Sequence, residues 1–428
     1  MIHPKMRYTY VGIDSHKETH TAVFMDFFFD KLGELTFNNL PSEFDGFLKK
    51  AQQFLMDGTT FMFGMEDCSS YGRTLMRFLT QNDHQVKHVN ALLVSRERKI
   101  QNIVHKTDSV DALCAARILL SKFGEIPDAE PEDKYWILRS LVVRRDFLVR
   151  QRAAIKHYLN SLLTQSYPNY RQYFEKIDCK SSLAFLMRYP SPHTLEGTTA
   201  EELAAFLEIP SNMHVGMTKA IEILGSLQET TIPYQEVRDS VVQSTVRQII
   251  FNTEEIDRLE VQMSKFLTEF DCTLTSMTGI DTVTAAQLLS NIGDIKKFST
   301  PAKLARYAGI APVTYSSGKK DTQFANQRGN RELNNLFFWL AVRLTTASNR
   351  RRRVTNSFFY NYYHRRMAEG KTKRQALKCV ERRLVNIIWT MLSRNEEYVN
   401  PPTYDLLEDD VLQETAMPEV KQPKRRNR

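Results

Sequence analysis

The chain has 428 residues, 42% hydrophobic and 25% charged, with a formal net charge of +8. This exceeds one ordinary domain of about 100–200 residues and leaves room for two or three, and the positive balance favours a polyanionic partner. Five scattered cysteines (Cys68, Cys114, Cys179, Cys272, Cys379) without a C-x-x-C pair argue against a disulfide framework and a zinc site; with no signal-like start and no run of about 20 apolar residues, a cytoplasmic protein with no membrane role is expected.

The chain opens on strands. "YTYVGID" (Tyr8 to Asp14), "THTAVFMD" (Thr19 to Asp26) and "GELTFNNL" (Gly33 to Leu40) are short, rich in β-branched and aromatic residues and closely spaced, which predicts an antiparallel meander. A helix follows over Ser42 to Met56, then "TTFMFGME" (Thr59 to Glu66), a continuous apolar run of buried-strand length. A helix over Gly72 to Gln81, a strand over Gln85 to Asn90, and helices over Leu92 to Gln101 and Asp108 to Ser121 complete the unit. The order β-β-β-α-β-α-β-α is that of a ribonuclease-H-like mixed sheet with helices on its faces.

From about Trp136 the pattern turns helical. Leu138 to Leu163 and Val242 to Phe270 carry apolar residues at three- and four-residue spacing, the pattern of long arms able to pair as a coiled coil. No chemical role is read for the stretch 166–240 between them. A third, mostly helical region opens near Asp271, and the tail from 399 ends in a basic "KQPKRRNR" expected to be flexible. The fold class is therefore α/β plus α, divided as 1–130, 131–270, 271–398 and 399–428.

Four acids stand out. Asp14 closes the first strand and Glu66 the buried central one, each with an ordinary reading as a solvated strand-end residue. "HKTDSVDALCAARILL" places Asp108 as an N-cap accepting from the Asp111 N–H, with Asp111 in the first turn of an apolar helix, where the dipole favours negative charge. In the expected sheet the first and fourth strands are neighbours and this helix crosses the same edge, bringing all four carboxylates together. Such a cluster makes physical sense mainly around a cation, and all-oxygen donors suit Mg²⁺ or Mn²⁺. Two such ions assist phosphoryl transfer. His16, Lys17 and His20 follow Asp14 closely enough to touch phosphate but are read as structural or solvent-facing, and Asp67 as pointing away from Glu66.

"YVGIDSHKETH", "GMEDCSSYG" and "HKTDSVDALCAARIL", with "MTGIDTVTAAQLLSNIGDIKKFSTPAKLARYAGIAPVTYSSGKK" and "QRGNRELNNLFFWLA" downstream, resemble the IS110-family transposases and the related Piv-type DNA invertases. The resemblance implies a RuvC-like DEDD domain with Asp14, Glu66, Asp108 and Asp111 as catalytic metal ligands, and a C-terminal transposase domain whose nucleophile is Ser317, with Ser316 the adjacent alternative. It also implies double-stranded donor and target DNA, a noncoding bridge RNA, a homodimer or homotetramer, and a bacterial or archaeal host. Two departures are present: "DCSS" after Glu66, where the family has a small residue, threonine and glycine, and "GID" at Gly279 to Asp281 where the family has a second glycine.

Beside the resemblance, Ser317 has an ordinary reading as part of a polar turn. A serine needs a base or metal before it attacks, while Lys319, Lys320 and Arg328 can offset phosphate charge. A flexible Gly329 and an N-capping Asn330 would begin a helix whose N-terminus favours an anion. Asn349 to Arg383 is densely basic, with Arg350, Arg351, Arg352 and Arg353 as candidate phosphate contacts. Its aromatics can serve either base stacking or a helix core. The expected activity is Mg-assisted serine attack through a covalent phosphoserine; the alternatives are a hydrolytic RuvC-like, structure-selective endonuclease and a site-specific invertase.

Overall fold

The computed structural model describes residues 3–66, 71–130, 134–167, 169–211, 216–227, 233–317, 320–324, 326, 329–348 and 353–399. The chain divides into two compact units, Met1–Lys134 and Tyr135–Arg428.

The first unit is a five-stranded mixed sheet of β1 (Tyr8–Ser15), β2 (Thr19–Met25), β3 (Lys31–Asn38), β4 (Thr60–Met65) and β5 (Gln85–His88), in the order β3-β2-β1-β4-β5. β1, β2 and β3 run antiparallel, whereas β4 is parallel to both β1 and β5. The third strand starts and ends two residues earlier than its composition suggested. α1 (Pro41–Ala51) stops short of the expected Met56 and tightens into a 3-10 turn over Gln52–Phe54. α2 (Arg73–Gln81), α3 (Ala91–Ile100) and α4 (Asp108–Ser121) follow as expected.

Strand alternation sorts the sheet into two faces. Val11, Ile13, Phe61, Phe63 and Met65 bury against Phe44 and Phe47 of α1 and Leu75, Met76 and Leu79 of α2. Tyr10, Met25 and Met62 bury against Cys114, Ala115, Ala116 and Leu119 of α4. Between them on this second face, Gly12 and Gly64 are register partners. A Cβ on Gly12 would lie 2.0 Å from the Ala112 carbonyl oxygen and 2.4 Å from the Ala116 nitrogen, so α4 rests with its backbone directly on β1.

The second unit contains two 33-residue helices, α5 (Lys134–Ser166) and, after α6 (Tyr170–Tyr173), α7 (Lys180–Arg188), α8 (Ala200–Ser211) and α9 (Met217–Gly225), α10 (Gln235–Leu267). Arg145 donates to Glu260 at 2.7 Å and Arg152 to Thr253 at 3.2 Å, an antiparallel pairing of the two. Each helix serves two cores. Leu159, Leu163, Val242 and Val246 pack with α7–α9, which gives the stretch between the arms a structural role as a small helical core. Leu138, Val142, Met263 and Leu267 pack into a larger core with the C-terminal elements.

Those elements are α11 (Thr282–Ile292), α12 (Pro301–Tyr307), the hairpin β6 (Val313–Ser317) and β7 (Lys320–Phe324), α13 (Arg331–Thr345), the short pair β8 (Ala347–Ser348) and β9 (Arg353–Val354), α14 (Ser357–Ala368) and α15 (Lys373–Arg394). No disulfide links the described cysteines Cys114, Cys179, Cys272 and Cys379. Among the described residues, no helix is long and apolar enough to cross a membrane.

Candidate metal centre and nucleophile hairpin

The pair Gly12 and Gly64 sets the position of the acids. Two residues further on, at the alternation of the same face, come Asp14 in β1 and Glu66 just past β4; Asp14 pairs with Thr21 one residue before the β1–β2 ladder ends at Ser15–His20, and Glu66 directly follows the Ile13–Met65 pair. The glycines let α4 descend onto this face, and its first turn carries Asp108 and Asp111 toward the same end of the sheet.

The helix start differs from the expectation. Thr107, extended at φ −133° and ψ 158°, is the N-cap, and its hydroxyl accepts from the Val110 N–H at 3.3 Å. Asp108 is the first helical residue. Because threonine satisfies the free N–H, the Asp108 carboxylate is spared from capping and turns to a different partner, His16.

His16 faces solvent with half of its side chain, and its Nε2 lies 3.1 Å from Asp14 Oδ2 and 3.1 Å from Asp108 Oδ1. Donor atoms of these three residues fall within 4.8 Å of one another. The signal was present in "GIDSHK": a tight β1–β2 turn returns His16, two residues after Asp14, to the strand end. Asp111 stands beside this trio. Its carboxylate takes a 2.5 Å hydrogen bond from Arg98 Nη1 at the end of α3, and Lys106 Nζ is 4.0 Å away. Glu66 is half-buried. A further tether holds the α4 head from the edge strand: the Ser109 hydroxyl donates to Glu34, which also accepts from Lys31 at 2.7 Å.

Electrostatics match a site built for a cation. Burial pushes the Asp14 carboxyl above its ordinary range; His16 opposes the shift, and the carboxylates of Asp111 and Asp108 add to it. A carboxylate with 16% of its side chain exposed, flanked by two more acids, gains most from a positive ion. The donor set, oxygen-rich with one nitrogen, fits a divalent cation. His20 is fully buried against Phe37 and Phe44, and burial holds its pKa below the usual histidine range, so it belongs to the core.

In the second unit, Ser317 is the last residue of β6 and registers with Lys320, while Ser316 registers with Asp321. Lys319, Arg328, Arg350, Arg351 and Arg352 lie outside the described residues, as does Asp67; Arg353 registers with Ser348 in the β8–β9 pair. The helix start after the hairpin is as expected: Asn330 caps α13, its side chain accepting from the Leu333 N–H at 3.0 Å. Gly329, expected to be flexible, is instead closely packed. A Cβ there would stand 2.3 Å from the Gly309 backbone.

The "GID" departure is also explained, because Asp281 caps α11 through the Thr284 N–H at 2.8 Å and pairs with Arg343 at 3.1 Å. Of the aromatics in the basic stretch, Phe358, Phe359 and Tyr362 are buried and serve the helix core. Arg366 is likewise internal, donating to the Tyr362 hydroxyl at 3.2 Å and pairing with Glu369 at 3.0 Å.

Comparison with known proteins agrees with both ends of the chain. A DEDD-type IS110 transposase model matches residues 11–168, and a model described as transposase IS116/IS110/IS902 family matches residues 272–356. An insertion element IS110 uncharacterized 43.6 kDa protein of Streptomyces coelicolor is 30% identical over 294 residues, covering 67% of this chain and 70% of its own. An insertion element IS116 uncharacterized 44.8 kDa protein of Streptomyces clavuligerus is 24% identical over 398 residues, covering 92% and 96%. A pilin gene-inverting protein of Moraxella bovis is 23% identical over 398 residues, covering 92% and 98%.

Proposed function

The chain belongs to the IS110 family of transposases, enzymes that cleave and rejoin DNA, and from that premise we propose that it exchanges DNA strands using Asp14, Glu66, Asp108 and Asp111 as a divalent-metal site and Ser317 as nucleophile. The observation that carries this reading is the meeting of Asp14 and Asp108 at one strand end, with Asp14 destabilised as an anion by burial and by its acidic neighbours.

A bound Mg²⁺ or Mn²⁺ would supply charge neutralisation at the reacting phosphate and ease ionisation of the attacking hydroxyl. The chain's own groups do the rest. The four carboxylates hold the cation's side of the site, and Arg98 fixes Asp111. The Ser317 Oγ attacks phosphorus, forming a serine–phosphate bond as the bond from phosphorus to a deoxyribose oxygen breaks; the serine gives its proton to solvent, and the leaving oxygen takes one from solvent to depart as a hydroxyl. Attack by a hydroxyl of the second DNA on that phosphoserine restores the serine and completes exchange. Lys319, Lys320, Arg328 and the run Arg350 to Arg353 contact phosphates.

The same reading includes a bridge RNA that pairs with donor and target, supported by the net charge of +8 and the basic stretch Asn349 to Arg383. It also includes a dimer or tetramer, supported by exposed Phe147 on α5 and Phe251 and Val261 on α10. The full-length relative that inverts a pilin gene supports inversion as a second outcome of the same chemistry.

The test is a plasmid strand-exchange assay with RNA recovered from the purified protein. Asp14→Ala and Glu66→Ala are expected to abolish exchange, and the RNA to map to the noncoding flanks of the element. Exchange that persists in both variants overturns the metal site, and random cellular RNA overturns the guided reading.

A further inference from the structure

We infer that His16 is a direct ligand of the divalent cation at this site, and that its nitrogen shifts the site's preference from Mg²⁺ toward Mn²⁺. The inference rests on the reading of the acids as a metal site and adds a donor outside the four carboxylates.

Three observations carry it. First, His16 Nε2 is 3.1 Å from one oxygen of each of Asp14 and Asp108. Neighbouring ligands of an octahedral ion at about 2.1 Å lie about 3.0 Å apart, so the spacing is one that a single ion accommodates with little rearrangement.

Second, the turn bearing His16 is held in place. The His16 N–H donates to the Thr19 carbonyl at 3.0 Å, and the Asn39 side chain donates to the carbonyls of His16 and Lys17 at 3.3 Å and of Tyr71 at 3.1 Å. The ring is thus delivered by an anchored turn rather than by a loose loop.

Third, the His16 side chain is 50% exposed and outside the core, so its placement between two acids is not a by-product of packing.

The chemical consequence follows from donor softness. Mg²⁺ takes oxygen ligands and dehydrates reluctantly, whereas imidazole is a good ligand for later first-row ions, and Mn²⁺ accepts both. One nitrogen among carboxylates therefore favours Mn²⁺ relative to Mg²⁺ without excluding Mg²⁺. The competing arrangement is a side chain that only hydrogen-bonds the acids and leaves when the ion arrives.

The test uses the full-length protein with Mn²⁺ as probe. Pulsed electron paramagnetic resonance of the Mn²⁺-loaded chain is expected to show a directly bonded histidine ¹⁴N, which changes to ¹⁵N with labelled histidine and disappears in His16→Gln. In parallel titrations, His16→Gln is expected to weaken Mn²⁺ binding several-fold and Mg²⁺ binding by a smaller factor. Bound Mn²⁺ without nitrogen coupling, or equal loss for the two ions, overturns the role of His16 and leaves the carboxylate site standing. Mn²⁺ binding that survives unchanged in Asp14→Asn and Asp108→Asn overturns the metal site itself, and this inference with it.

Discussion

Gly12 and Gly64 are register partners at the centre of the sheet, and each stands two residues before an acid on the same face, Asp14 and Glu66. The missing side chains let α4 lie against the strands, so the packing that buries the helix also delivers Asp108 and Asp111 to the strand ends.

Gly12→Ala is expected to cost about 1–3 kcal/mol and to weaken Mn²⁺ binding, because the added methyl meets backbone atoms of α4 that cannot move aside alone. Gly46→Ala in α1, where an added Cβ meets nothing within 4 Å, is expected to stabilise by about 0.5–1 kcal/mol. Urea denaturation of both variants checks the contrast; equal stabilities would mean that α4 does not rest on Gly12.

Asp14→Asn is expected to raise the melting temperature of the metal-free protein at pH 7. The folded pKa of Asp14 lies above its ordinary value of 3.8, chiefly through burial. Its contribution to stability is thus present below that value and lost as pH rises through the folded pKa, so the neutral-pH carboxylate opposes folding. Differential scanning calorimetry with and without Mg²⁺ reads this directly. The ion should raise the wild-type transition and leave the variant nearly unmoved.

Arg98→Ala is expected to slow strand exchange about 10- to 100-fold, the usual scale for groups that orient a metal ligand. Asp111 is only 12% exposed and takes its 2.5 Å hydrogen bond from that guanidinium. Arg98→Lys should recover part of the rate. Its Mg²⁺ dependence should shift as well, which loss of fold would not produce.

Asp281→Ala is expected to cost about 1 kcal/mol at neutral pH through loss of the α11 cap. Burial raises the Asp281 pKa, but the Thr284 donors and Arg343 outweigh it and hold the group below its ordinary range. Its contribution is therefore present above pH 3.8 and lost as pH falls through the folded value. Denaturation at pH 7 and pH 3 should show the variant's deficit shrinking in acid.

Much of this was legible before the fold. Strand alternation, short connections and the apolar run ending at Glu66 are local signals, and they predict the mixed sheet and the strand end where Asp14 stands beside Asp108. Thr107 was missed as the cap because Thr, Asp108 and Asp111 all suit a helix start, and only the backbone angle of Thr107 separates them. The contact of His16 with both acids depends on a turn tethered by Asn39, 23 residues away in sequence, which no local pattern shows. Gly329 read as flexible because its close neighbour, Gly309, belongs to another loop. The aromatics Phe358, Phe359 and Tyr362 have a helical period that burial and stacking share, and the surrounding helices decide for burial.

Serine attack by this chain is tested most directly by trapping the reaction in denaturant with end-labelled DNA and Mg²⁺, then mapping the modified peptide. A covalent protein–DNA species on Ser317 is predicted, absent in Ser317→Ala and in Asp14→Ala, and retained in Ser316→Ala. Cut DNA without any adduct, or an adduct that survives Ser317→Ala, would contradict it.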